Sequence, residues 1–181
     1  MTPDLIEPDT PRLHLRQWRS SDRAPFAELN SDPRVMAYFP SLLDRAQSDV
    51  MADRCEASIG ERGWGFWAVE VKRSGRFIGF IGLSVPADRL PFSPCTEIGW
   101  RLAFDHWSYG YATEAAHAAL RVAFELLGLE AVVSYTTVAN RRSRAVMERL
   151  GMSESGTFEH PSVPVGSPLR EHCLYRVRNV A

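Results

Sequence analysis

EIGWRLAFDHWSYGYATEA, residues Glu97 to Ala115, changes its period halfway along. From Glu97 to Phe104 the chain alternates. Ile98, Trp100, Leu102 and Phe104 fall on one side, and Glu97, Gly99, Arg101 and Ala103 on the other, which predicts a strand with one strongly apolar face. After Gly110 the period becomes helical. Ala112, Ala115, Ala116, Ala119, Leu120, Ala123, Phe124 and Leu127 make an apolar stripe, Glu114, His117, Arg121 and Glu125 face water, and Gly128 is placed as a left-handed cap. The first turn of such a helix carries unpaired N–H groups that can receive an anion, and Gly110 and Ala112 keep the loop before it thin. The same Gly-x-Ala is also an ordinary turn, so the loop alone leaves both readings open.

On the N-terminal side, Leu13, Leu15 and Trp18 open a short strand, with Arg12, His14 and Arg16 alternating between them. Ser20 or Ser21 can cap a helix that runs to about Leu29. A second helix is predicted from Leu43 or Arg45 to about Ile59, ended by Gly60 and Gly63. Phe66–Val71 and Phe77–Leu83 read as a hairpin around Arg73-Ser74-Gly75, and Pro86–Pro94 as a loop. On the C-terminal side, Ala131–Val138 is a covered strand, and Asn140 caps a helix from Arg141 to Leu150 that Gly151 ends. Two strands, about Ser153–Glu159 and Glu171–Val177, close the chain around His160–Pro168. The expectation is an α/β fold: one domain over residues 1–181, with a mixed sheet of about seven strands flanked by about four helices.

Length and composition agree. The 181 residues can bury one sizeable core, and 45% hydrophobic with 24% charged residues are ordinary globular values. A formal net charge of −1 argues against a general nucleic-acid surface. The three cysteines, Cys55, Cys95 and Cys173, form neither a Cys-x-x-Cys pair nor a disulfide ladder, and the five histidines show no metal-ligand spacing. No apolar signal segment or membrane-length run is present. The expected setting is a reducing cytoplasm, with no metal and no membrane partner.

The chain resembles the GCN5-related N-acetyltransferase (GNAT) superfamily, and within it the ribosomal-protein-alanine acetyltransferases. The resemblance rests on TPRLHLRQW, DPRVMAYFP, FIGFIG, EIGWRLAFDHWSYGYATEAAHAAL, VANRRSRAVMERLGM and HPSVPVGSPLREHCLYRV, in order along nearly the whole chain. It implies acetyl-CoA as cofactor, held where two central strands splay. The backbone of Arg101, Leu102, Ala103 and Phe104 would run beside the pantetheine arm, with a bulge near Gly99 opening the gap and an N–H near Leu102 serving the oxyanion. The pyrophosphate would meet backbone N–H groups of Ser108, Tyr109, Gly110, Tyr111, Ala112 and Thr113. The family signature begins that loop with Arg or Gln. Here Trp107 stands in that place and reads best as an aromatic at the cofactor's edge.

The resemblance also bears on the chemistry. Asn140 and Ser143 match the family's Asn-x-x-Ser, and Asn140 is either a helix cap, a cofactor contact or both. Many relatives carry a tyrosine acid where this chain has Met147, which cannot donate a proton. Ser143, one turn earlier on the same face, is the replacement, unless the thiolate leaves unaided, its thiol having a pKa near about 8.5. Glu97 is the candidate base, against a plain solvated glutamate, and His160 and His172 can approach the acceptor from the closing hairpin. Arg141, Arg142 and Arg144 sit at a helix start, where the dipole disfavours cations, so one or two of them are expected to meet cofactor phosphates.

The acceptor is a primary amine, either a protein or peptide N-terminus or a small molecule such as a polyamine, amino acid or antibiotic. Trp18, Arg34, Tyr38, Phe39, Trp64 and Phe92 are candidates to line its site. Transfer would be direct in a ternary complex, since no cysteine has a partnered base, in a monomer or homodimer. Two other readings are a non-catalytic acyl-CoA sensor and an unrelated nucleotide-binding domain. Against the latter, the chain has no Gly-x-Gly-x-x-Gly and no Walker lysine.

Overall fold

The computed structural model describes residues 3–179. Its elements are β1 (Leu13–Arg16), α1 (Arg23–Asn30), α2 (Arg45–Arg62), β2 (Phe66–Val71), β3 (Arg76–Ser84), β4 (Glu97–Leu102), α3 (Tyr111–Arg121), β5 (Ala131–Thr137), α4 (Arg141–Arg149), β6 (Ser153–Glu159) and β7 (Glu171–Arg178). The strands form one seven-stranded sheet in the order β1-β2-β3-β4-β5-β7-β6. Every neighbouring pair is antiparallel except β4 and β5, which are parallel and meet at the single position Glu97–Val133. The mixed sheet and four helices are those the alternating and helical periods predict.

Local chemistry moves several boundaries. The serines at 20 and 21 lie in a 3-10 turn with no side-chain cap. Instead Asp22 turns inward and accepts Arg16 Nη1 and Nη2 at 2.8 and 2.9 Å. Gly60 does not stop α2, because an interior glycine costs a helix only about 1 kcal/mol. Gly63, at φ +79°, is the left-handed cap, and its N–H returns to the Ile59 carbonyl. The α3 helix stays α-helical to Arg121, widens to a π turn over Val122–Leu126, and ends at Gly128 with φ +63°.

The core joins both faces of the sheet. Phe26 of α1 packs edge-on against Phe80 and Trp18, and Ala115, Ala116 and Ala119 of α3 are fully buried, so small residues let that helix lie close to the strands. The α1–α2 face carries Phe66, Phe77 and Phe80, and the other face carries α3. No helix among the described residues is long and apolar enough to cross a membrane.

Candidate active site

The site begins with backbone parity. The N–H of Ala103 donates to the Ile78 carbonyl at 2.8 Å, so in the antiparallel β3–β4 ladder the N–H and C=O of residues 97, 99, 101 and 103 point to β3. Those of Ile98, Trp100 and Leu102 therefore point towards β5. Beyond the Glu97–Val133 bridge, β5 does not pair with them. The Ile98 carbonyl accepts the Ser134 hydroxyl at 2.9 Å, and the Leu102 carbonyl accepts the Trp107 indole N–H at 2.8 Å. The Trp100 carbonyl and the N–H groups of Trp100 and Leu102 are left facing an open gap.

This corrects two expectations. The register between β3 and β4 runs unbroken from Ser84–Glu97 to Gly79–Leu102, so no bulge sits at Gly99, and the gap opens because β4 and β5 part after one bridge. The backbone of Arg101 and Ala103 is spent on β3, so of the four residues expected beside the pantetheine arm, Leu102 is the one whose ladder parity faces the gap. Phe104 lies past the strand in a 3-10 turn and packs against Trp107 at 5.0 Å.

A cleft of about 1380 Å³ runs through the gap and reaches both faces of the sheet. On the α3–α4 side it is lined by Trp107, Ser108, Gly110, Tyr111, Ala112 and Thr113. In contrast to α2 and α4, whose first turns are capped by Asp44 and Asn140, α3 has no side-chain cap, leaving its first N–H groups open to an anion. Ser108 holds φ +66°, a left-handed conformation that costs a non-glycine residue roughly 1–2 kcal/mol. Tyr109 stacks on Tyr111 at the rim. The loop is tied to the sheet edge from outside: Glu114 accepts Thr10 Oγ1 at 2.7 Å and the backbone N–H and Nε of Arg12 at 2.9 and 2.6 Å, and Arg12 Nη1 donates to the Tyr109 carbonyl at 3.0 Å. Burial pushes the Glu114 carboxyl up, but the bonds from Thr10 and Arg12 outweigh it and hold it below its usual range.

The start of α4 forms the opposite wall. Asn140 is the cap: its Oδ1 accepts the Ser143 N–H at 3.2 Å, and its Nδ2 donates to Thr136 Oγ1 at 2.9 Å. Ser143 Oγ accepts the Trp100 indole N–H at 3.3 Å, which leaves its own O–H free to donate into the cleft. Met147 is sealed in the core beneath it. Arg142 lies over the Trp107 ring at 5.0 Å and has no acidic partner among the described residues. Arg144 turns away to Tyr175, the Val138 carbonyl and Glu154, so it is structural.

On the α1–α2 side the floor of the cleft is one face of β4, formed by Glu97, Gly99 and Arg101. Burial raises the Glu97 carboxyl above its usual range, the neighbouring Tyr135 hydroxyl partly offsets this, and nearby Asp88 adds to it. Tyr135 centres an aromatic cluster with Phe158, His160 and His172, in which the two imidazoles stand 4.9 Å apart. Burial lowers the pKa of both histidines. Arg34, Tyr38 and Phe39 line the cleft as expected, but Trp18 is core, Trp64 packs under Arg62, and Phe92 packs on Tyr135 and Phe158. His106 lies at the cofactor-loop end. Sequence reasoning missed Ser134 and Tyr135. The switch inside AVVSYTT from three apolar residues to four that carry hydroxyls was the available signal.

Comparison with known proteins follows this geometry. A model of the acetyltransferase (GNAT) domain matches residues 12–153. The chain is 33% identical over 159 residues to the uncharacterized protein YkkB of Bacillus subtilis (strain 168), spanning 86% of this chain and 90% of that one. It is 35% identical over 158 residues to the FsC-acetyl coenzyme A-N(2)-transacetylase of Aspergillus fumigatus, spanning 82% of this chain and 66% of that one. An acetyltransferase structure from Agrobacterium tumefaciens str. C58 superposes with a TM-score of 0.77 at 29% identity, covering 99% of this chain and 98% of that one. The RimL ribosomal L7/L12 alpha-N-protein acetyltransferase, solved with coenzyme A, shares the fold with a TM-score of 0.75 at 16% identity, covering 96% and 98%.

A split parallel pair beside an uncapped helix start, matched in this way, defines an acetyl-CoA-dependent acetyltransferase. The chain belongs to the GNAT family. The matches run across several of its branches, so the family is set and the ribosomal branch is not.

Proposed function

We propose that this protein acetylates the primary amine of a small molecule. The observation that carries this reading is a clasp over the acceptor end: Ser162 Oγ, in the β6–β7 loop, donates to Asp88 Oδ2, in the β3–β4 loop, at 2.6 Å. Val163 and Leu90 beside it are buried. A protein N-terminus needs an open groove in which several residues of chain can lie, and a bridged mouth suits a compact amine instead.

The residues divide the chemistry between the two faces. Acetyl-CoA supplies an activated thioester, and the open first turn of α3, Arg142 and the gap-facing backbone of β4 fit its pyrophosphate, charge and pantetheine arm. Glu97, on the acceptor face, takes the proton from the ammonium, and its raised pKa brings it closer to that task. The Leu102 N–H offers a fixed donor where negative charge develops on the carbonyl oxygen. As the N–C bond forms and the C–S bond breaks, Ser143, on the cofactor face, would give its proton to the sulfur and take up the second proton that the attacking nitrogen sheds. Cys55 is no nucleophile, because burial pushes its thiol up to about 12.

The test is thiol release from acetyl-CoA with a panel of small amines and of peptides with free and blocked N-termini. Small amines are expected to turn over. Turnover confined to peptides with a free N-terminus would replace this reading with N-terminal acetylation, and tight acetyl-CoA binding without turnover on any amine would favour a sensor.

A further inference from the structure

Two arginines of this sheet are equally buried, and they are treated differently. Arg16, 6% exposed, is neutralised by Asp22 on two nitrogens and by Glu70 at 2.8 Å. Arg101, 8% exposed, has no carboxylate among the described residues. Its Nη1 donates to Asn30 Oδ1 at 2.7 Å and touches Met51 Sδ at 3.5 Å. Its Nε is sealed without a partner, and Nη2 makes no hydrogen bond among the described residues. Aromatic rings flank the guanidinium, Phe39 at 4.1 Å and Phe80 at 5.5 Å. Burial pulls Arg101 down to about 10, so it remains charged at neutral pH, and the Cys55 thiol beside it is too weak an acid to balance it.

A buried cation without a counter-ion is costly, and this one lines the acceptor side of the cleft. Arg34, another cation that lines the cleft, is already paired with Asp32 at 2.6 Å. Nε is sealed and Nη1 is spent on Asn30, so Nη2 is the nitrogen left to donate to a carboxylate in the cleft. Glu97 and Arg101 lie on the same face of β4, roughly 13 Å apart along the strand, with the Phe66 ring packed over Gly99 between them. Both residues line the same cleft, so an amine held at Glu97 can present an anionic group to Arg101 past that ring. The walls between are apolar: Phe39, Phe66, Phe80 and Met51.

Resting on the small-amine reading above, we infer that the acceptor is an amine that also bears a carboxylate, with Arg101 as the carboxylate's receptor. One guanidinium in an aromatic setting balances a monoanion and leaves a phosphate dianion half compensated, which sets the choice of anion.

The experiment has two arms. In the first, amines of graded length (glycine, phenylalanine, 4-aminobutyrate, 6-aminohexanoate) are compared with their own amides as acceptors, for wild type and Arg101→Met. Wild type is expected to favour at least one acid over its amide by about 10-fold to 100-fold in kcat/KM, chiefly through KM, and the variant to bring that ratio near one. Indifference to the carboxylate at every length overturns the inference while leaving acetyl transfer to small amines intact.

The second arm needs no turnover. Thermal melting is followed with 4-phenylbutyrate, its amide or phenyl phosphate as probe. The acid alone is expected to raise the melting temperature of wild type, and to do so less in Arg101→Met and in Arg101→Gln, each compared with its own unliganded melt. An equal shift in wild type and both variants, no shift with the acid, or a shift with phenyl phosphate alone overturns it.

Discussion

The hydroxyl of Ser134 donates to the carbonyl oxygen of Ile98 at 2.9 Å, in the direction from which the next backbone N–H of an unbroken parallel ladder would come. Both residues are buried. Ser134→Ala leaves that carbonyl unpartnered and is expected to cost about 1–2 kcal/mol in urea or thermal unfolding. Because the bond lies at the mouth of the gap, the KM for acetyl-CoA is expected to rise, roughly threefold to tenfold. An unchanged unfolding midpoint would show that the hydroxyl does not hold the strands at this point.

Glu97→Gln removes the proposed base and is expected to lower kcat/KM about 100-fold, within the range of general base catalysis. The wild-type rate should climb with pH through the raised pKa of Glu97, above 4.5, and that limb should vanish in the variant. Stability moves the other way. A carboxyl whose folded pKa is raised contributes stability that is present below the unfolded value and lost as pH rises through the folded one. Melting at pH 8 should therefore find Glu97→Gln more stable than wild type, and melting near pH 4 should find the two close.

His160 and His172 are both held below their usual pKa of 6.5 by burial. A lowered folded pKa gives stability that is present above 6.5 and lost as pH falls through the folded values. Each ring also faces the other, and Arg170 and Asp88 act on His160 with opposite signs. The melting temperature is expected to fall from pH 7 to 5, and the fall to shrink in the double variant His160→Asn, His172→Gln. A parallel fall in both proteins would assign the acid sensitivity elsewhere.

Glu114→Ala strips the acceptor from Thr10 and from two nitrogens of Arg12. The Arg12 side chain is 47% exposed, so the screened ion pair adds little and the loss is about 1–2 kcal/mol, mostly from hydrogen bonds left unmade. The functional effect is larger than the structural one. With Arg12 released, the Tyr109 carbonyl loses its anchor, and acetyl-CoA affinity measured by calorimetry is expected to drop about 10-fold.

Much of the frame was legible because it is local. Alternation marked β2, β3 and β4, and the alanine stripe marked α3. The thin loop before α3 followed from Gly110 and the helix after it, and its part in holding the cofactor is what the resemblance implies. What escaped was decided at long range. Arg101 reads as a residue on the polar side of a strand, and only Asn30, Met51 and Phe39, 50 or more residues earlier, turn that side into an interior. Gly99 reads as a bulge, but the gap is made by β5 choosing β7 as its partner. Gly60 and Gly63 carry the same letter, and the free backbone turn at Gly63 alone separates the cap from the tolerated interior glycine. Phe92 and Trp64 are aromatic like Phe39, and only the packed chain shows which rings line a void.

The lone bridge between Glu97 and Val133 makes the sheet two plates, β1–β4 and β5–β7, riveted at one end. Whatever fills the gap then acts as a missing strand as well as a reactant. Binding to the folded chain alone adds RT ln(1 + [L]/Kd) to its stability, about 2.7 kcal/mol at a hundredfold excess over Kd. Such a protein carries a metabolic gauge in its own architecture: its lifetime against unfolding and proteolysis rises and falls with the supply of the acyl donor it consumes.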